Sequence, residues 1–182
     1  MKIIPTSIPE VMIIEPQIYG DARGFFMETW NANSFAEAGL DLHFVQDNHS
    51  RSRQGILRGL HYQIQHPQGK LVRVTHGQVF DVAVDLRQSS PAFGQWVGAE
   101  LSDANHRMLW VPPGFAHGFY VMSESADFLY KCTDLYAPQH ERCLRWDDPT
   151  LAINWPLVGG QAPQVSAKDA EGKLWPDAEV FA

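Results

Sequence analysis

Lys70-Leu71-Val72-Arg73-Val74-Thr75-His76, followed by Gly77-Gln78 and then by Val79-Phe80-Asp81-Val82-Ala83-Val84-Asp85-Leu86, is the stretch that assigns the fold class. Both runs are rich in β-branched residues, which suit a pleated strand. Gly77-Gln78 supplies a turn signal between them, so the pair reads as a hairpin. In the second run Phe80, Val82, Val84 and Leu86 share one face while Asp81 and Asp85 take the other, the alternation of a half-buried strand. Working outward, further strands are expected at residues 11–14, 24–29, 44–48, 56–63, 96–101, 108–111, 118–122 and 127–133. Helical signals are few. Residues 32–38 read as one short helix with Asn31 or Asn33 as its cap, and a turn or two is expected at 148–153 or 167–173. Many short strands broken by Gly, Pro, Asn and Asp make the chain mainly β, a sandwich or jelly roll whose mouth can enclose a small ligand. Residues 1–182 are expected to form one domain, without internal repeat or linker, and the Pro-, Gly- and Trp-rich part from about Asp147 reads as a loop-and-helix cap.

Composition narrows the function. A hydrophobic content of 45% supports an ordinary folded core. The net charge of −7 argues against nucleic-acid binding, which needs a broad basic surface. Local cations remain: Arg51, Arg53 and Arg58 cluster, with Arg23, Lys70 and Arg73 elsewhere in the first half. Such a set can hold a diphosphate or simply be solvated. No apolar run reaches the roughly 18 residues of a membrane span. The start, Met1-Lys2-Ile3-Ile4-Pro5, lacks a secretory leader, so a cytoplasmic protein without membrane partners is expected. In that compartment Cys132 and Cys143 are expected as small apolar groups rather than as a disulfide.

Two stretches carry an unusual polar load. In Gly55-Ile56-Leu57-Arg58-Gly59-Leu60-His61-Tyr62-Gln63, strict alternation places Arg58 and His61 on opposite faces. A bulge at Gly59 would bring them together, since glycine is the usual residue at such a kink. In Pro112-Pro113-Gly114-Phe115-Ala116-His117-Gly118-Phe119, a turn delivers a histidine to the start of the next strand. Taken alone, His61 and Tyr130 read as satisfied core or rim groups, and Lys70 as a solvated rim lysine.

The second stretch resembles the second conserved motif of the cupin superfamily, whose jelly roll presents that histidine inward. The first cupin motif supplies two histidines one residue apart and a nearby glutamate, where this chain has His61-Tyr62-Gln63. A metal site wants three or four good ligands, so no metal and no other cofactor is expected. A facial triad of His61, His117 and a carboxylate keeps a metal-dependent cupin as an alternative. The resemblance sharpens to the dTDP-4-dehydrorhamnose 3,5-epimerases. It rests on Asp21-Ala22-Arg23-Gly24-Phe25-Phe26-Met27-Glu28, Gln46-Asp47-Asn48-His49-Ser50, Leu57 to Gln63, Gln68-Gly69-Lys70-Leu71-Val72, Asp81 to Arg87, Val111 to Phe119 and Tyr130 to Tyr136. Trp146-Asp147-Asp148-Pro149 and Ser166-Ala167-Lys168-Asp169 extend it to the C-terminal part.

The resemblance implies a cupin-type jelly roll, or double-stranded β-helix, acting on dTDP-4-dehydro-6-deoxy-D-glucose. A base on one face of the sugar would remove a proton beside the 4-keto group, and an acid on the other face would return it with inverted stereochemistry. By the same resemblance His61 is the base, Asp169 its orienting partner, Tyr130 the acid and Lys70 the cation for the enolate oxygen. Arg23, Glu28, Gln46, Asn48, Arg58, Glu141 and Lys168 are the matching substrate-binding positions, and His117 supports the polar network. The family also implies a homodimer in which Arg23 and Glu28 reach the neighbouring subunit's site. Mono-epimerases, ketoisomerases and noncatalytic sugar sensors remain alternatives. The last usually carry a DNA-binding segment, and no basic helix-turn-helix pattern is visible here.

Overall fold

A computed structural model describes residues 1–182. Thirteen strands dominate and helices are few and short. One antiparallel sheet contains β1 (Lys2–Pro5), β2 (Met12–Glu15), β5 (Gln46–Arg53), β7 (Lys70–His76), β10 (Met108–Val111) and β12 (Ser125–Cys132), in the order β1-β2-β10-β7-β12-β5. The facing sheet contains β6 (Leu57–Gln63), β8 (Gln78–Asp85), β9 (Trp96–Ser102), β11 (Phe115–Val121) and β13 (Glu141–Cys143), in the order β13-β6-β11-β8-β9. A separate two-stranded ribbon pairs β3 (Ile18–Asp21) with β4 (Gly24–Met27). This is the jelly roll expected from the strand count and turn spacing. No helix is long and apolar enough to cross a membrane.

The opening hairpin is not one. β7 pairs with β10 and β12, while β8 pairs with β11 and β9, so Gly77 carries the chain from one sheet to the other. It does so at φ +79°, where a Cβ would lie 2.0 Å from the Ser125 carbonyl oxygen. Only glycine fits that corner. β8 is not half-buried either, for Asp81 and Asp85 are both fully buried. They face the interior, while Val82, Val84 and Leu86 pack outward against Leu151 and Trp155 of the C-terminal segment. That segment covers the five-stranded sheet, so both faces of β8 are shielded from water.

Three apolar clusters organise the molecule. Between the sheets, Val72, Val74, Leu109, Phe119 and Phe128 fill the barrel, with Phe119 and Phe128 stacked at 3.9 Å. Under the C-terminal segment, Leu57, Leu60, Tyr62 and Tyr120 join the second cluster. Outside the six-stranded sheet, Phe35 of α1 (Ala32–Glu37) packs near Leu71 and Trp110. Asn31 caps α1 by accepting from the backbone amides of Asn33 and Ser34, which settles the choice between the two asparagines. The second helix, α2, is a single turn, Ala167–Ala170, shorter than the expected 167–173. None of the apolar side chains filling the barrel comes from β6, and a polar cavity occupies the space beside that strand's inner face.

Candidate active site

The wall nearest the C-terminal segment is β6, and its local irregularity sets the site. Against β11, His61 pairs with His117 while Arg58 pairs with Phe119, so β6 carries one extra residue between these pairs. The bulge falls at Gly59-Leu60 and re-phases the strand. Leu57, Leu60 and Tyr62 therefore face the outer cluster, and Arg58 and His61 line one cavity together. Strict alternation would have separated them. Glycine is required on both strands: a Cβ on Gly59 would lie 2.6 Å from the Gly118 Cα, and one on Gly118 would lie 2.6 Å from the Arg58 carbonyl oxygen.

His61 meets Asp169, which α2 presents from the C-terminal segment. The Nε2 atom lies 2.5 Å from Asp169 Oδ1, with the imidazole side chain 30% exposed and the carboxylate 4%. Ser166 caps α2 by accepting from the Asp169 amide, which fixes the turn that aims the carboxylate. Burial opposes ionisation of Asp169, but the hydrogen bond and charge of His61 outweigh it, leaving the carboxyl below its usual range. An ionised Asp169 can only accept, so it takes a hydrogen bond from Nε2–H and the Nδ1 lone pair of a neutral ring stays free.

The opposite wall comes from the other sheet. Gln46 and Asn48 of β5, Lys70 of β7 and Tyr130 of β12 join His61, Gln63 and Glu141 around a cavity of about 320 Å³. A second cavity of about 360 Å³, lined by Arg58, Lys168 and Asp169, shares His61 and Glu141 with it. Lys70 is only 9% exposed and has no ion-pair partner within 4 Å. Burial pulls its pKa down, against the opposing pull of Cys132, Asp81 and Glu141. Burial raises the Tyr130 phenol above its ordinary value, so it holds its proton at neutral pH.

At the rim, Glu141 accepts from the Tyr136 hydroxyl at 2.6 Å and pairs with Lys168. Arg58 donates to Ser52 Oγ at 3.0 Å. His117 does not line the cavity. It is buried with its Nε2 3.0 Å from Asp81 Oδ1, and desolvation pushes the imidazole down and the carboxyl up. Because His61 and His117 engage separate carboxylates, their facial triad does not assemble, and the groups close enough to share an ion are His61, Cys143 and Asp169. The two cysteines are unpaired.

Arg23 and Glu28 stand away from this cavity. Arg23 pairs with Asp21 on the β3–β4 ribbon, and Glu28 accepts from Asn31 and Ser34. The arginine cluster also disperses, for Arg51 pairs with Asp127 on the far side of β12 while Arg58 enters the site. Sequence reasoning passed over Tyr136, Gln68 and Asp81. The alternation along β8 put Asp81 on the face opposite the apolar residues, and its inward direction follows only from the C-terminal segment that covers that apolar face; nothing local marks Tyr136, whose position depends on the loop that follows β12.

Comparison with known proteins agrees with this architecture from end to end. The family model described as dTDP-4-dehydrorhamnose 3,5-epimerase matches residues 5–177. The chain is 59% identical to the dTDP-4-dehydrorhamnose 3,5-epimerase of Pseudomonas aeruginosa, covering 100% of this chain and 99% of that one. It is 53% identical to the enzyme of the same name from Shigella flexneri, with 100% and 99% covered. Among solved structures, the Legionella pneumophila dTDP-6-deoxy-D-glucose-3,5-epimerase in complex with dTDP-4-keto-L-rhamnose superposes with a TM-score of 0.94 at 57% identity, covering 98% of this chain and 94% of that one. Identity this high over the whole length means that the chain belongs to the dTDP-4-dehydrorhamnose 3,5-epimerase family.

Proposed function

We propose that the chain converts dTDP-4-dehydro-6-deoxy-D-glucose to dTDP-4-dehydro-L-rhamnose, with His61 as base, Tyr130 as acid and Lys70 as the enolate's cation. The observation that supports this reading best is that His61 and Tyr130 line one cavity from opposite sheets, with the buried Lys70 amine on the same lining. The 4-keto group acidifies the hydrogens on carbons 3 and 5. The His61 Nδ1 lone pair takes one such hydrogen as a proton, and the C–H electrons become the enolate double bond while charge moves to oxygen. Lys70 stabilises that oxyanion in a site shielded from water, where a fixed charge counts most. Tyr130 then donates its proton to carbon from the other face. Imidazolium and tyrosinate exchange protons with solvent before the next inversion, so no oxidant, reductant or metal is consumed.

Arg58, Gln46, Asn48, Glu141 and Lys168 line the two cavities and are assigned to the nucleotide and sugar hydroxyls; His117 supports Lys70 through Asp81. Arg23 and Glu28 are assigned to the partner's site in a homodimer. The ribbon that carries Arg23 also exposes Tyr19, Phe25 and Phe26, an apolar surface suited to burial against a second copy. Incubation with the sugar nucleotide in heavy water tests the reading by NMR. Deuterium at both carbons 3 and 5 is the expected outcome; label at one carbon reduces the activity to mono-epimerisation, and label at neither removes it.

A further inference from the structure

β13 places Cys143 directly across from His61 of β6. The adjacent pair, Leu60 and Leu144, exchanges both backbone hydrogen bonds, at 3.2 and 2.9 Å. The His61–Cys143 pair is therefore of the narrow, non-hydrogen-bonded kind, whose side chains lie closest. Asp169 descends onto the same spot from α2, its Oδ1 4.0 Å from Cys143 Sγ and 2.5 Å from His61 Nε2. One nitrogen, one sulfur and one oxygen donor thus lie within 4.8 Å of one another. In a tetrahedral zinc site the bond lengths of about 2.0–2.3 Å set donor pairs roughly 3.4–3.6 Å apart. The observed separations bracket that range, and a shift of about 1 Å in the Asp169 carboxylate would admit an ion. The donors suit a thiophilic dication in charge as well, since a thiolate and a carboxylate neutralise it and the imidazole stays neutral. The fourth position would face the cavity that His61 already lines.

We infer that His61, Cys143 and Asp169 form an inhibitory site for a thiophilic divalent cation such as Zn²⁺ or Cd²⁺. Binding releases the Cys143 thiol proton to solvent, while the single proton of the neutral His61 ring moves by exchange with water from Nε2 to Nδ1. With Nε2 on the ion and the proton on Nδ1, no lone pair is left for the substrate, so the ion blocks the reaction without taking part in it. The blocking rests on His61 being the base; the binding does not.

The test uses the intact protein freed of metal with a chelator. Cd²⁺ titration should produce a sulfur-to-metal charge-transfer absorption saturating at one ion per chain, and the same titration should abolish turnover, which excess chelator restores. Cys143→Ser should keep turnover in chelator within about twofold, lose the absorption and need at least tenfold more Cd²⁺ or Zn²⁺ for inhibition. Cys143→Ala serves the same purpose if the serine disturbs β13. Inhibition of both variants at the wild-type metal concentration, or no absorption in the wild type, overturns the site. A saturating absorption with undiminished turnover overturns the blocking and the role of His61 as base, and leaves the ligands standing.

Discussion

An imidazole abstracts a proton only with the nitrogen that carries none, and in this protein Asp169 decides which nitrogen that is. Asp169→Asn should therefore be costly although it preserves shape. An amide can donate to Nε2 and favour the tautomer with its proton on Nδ1, and we expect turnover to fall by about 10²-fold or more. His61→Ala and Tyr130→Phe should each lower kcat by roughly 10² to 10⁴. In the proposed roles both act on the transition state more than on bound substrate, so calorimetric affinity for dTDP should stay within about tenfold. Affinity collapsing with kcat would assign them to binding instead. Lys70 adds a pH signature. Its burial depresses the folded-state pKa, so with Lys70 in its proposed role the cation, and with it kcat, is lost on the alkaline side as pH rises through a value below the ordinary lysine range. Lys70→Arg, whose guanidinium stays charged, should move that alkaline limb of the pH–kcat profile upward in whatever activity remains. The candidates proposed for these roles were legible in the sequence through family resemblance. Their protonation was not, because it depends on which groups tertiary folding places beside them.

At the scale of elements, the bulge on β6 is what makes an arginine and a histidine three residues apart share a wall. Its cost of formation is kept low by two facing glycines. Gly59→Ala would set a methyl 2.6 Å from backbone atoms of β11 at a φ of +114°, adding overpacking to a conformation that side chains avoid. A destabilisation of about 2–6 kcal/mol is expected from those two effects together, read as a drop in the urea midpoint. Gly118→Ala, at an ordinary φ, should show only the overpacking part, about 1–3 kcal/mol. An unchanged midpoint in both would mean that the strands do not approach this closely. Glycine inside a polar strand announced the bulge in advance. The Gly77 corner was misread, because a glycine between two strand patterns signals a change of direction without saying whether the second strand returns beside the first or crosses to another sheet.

For the whole molecule, the ribbon with its exposed Phe25 and Phe26 and the displaced Arg23 predict an assembly. Light scattering should report twice the chain mass. Arg23→Ala should raise KM by roughly ten- to a hundredfold, the worth of a charged hydrogen bond, with a smaller effect on kcat. Mixing it with His61→Ala should restore activity, since one of the two sites in a mixed dimer then holds both an intact imidazole and the partner's arginine. No recovery would keep Arg23 in its own subunit. By itself the sequence determined the class of the fold and most strand positions, and its family resemblance named the residues proposed for the chemistry. Strand propensity, turn residues and motif order are local properties, carried within a few positions of the chain. Only tertiary structure decided that β7 and β8 lie in opposing sheets, that Asp81 points inward, that Tyr136 joins the rim and that Cys143 sits across from His61. Each of those depends on which distant segment arrives to cover a face. The strongest example is the C-terminal segment, which buries a strand that reads as half-exposed and brings Asp169 to an imidazole more than a hundred positions earlier.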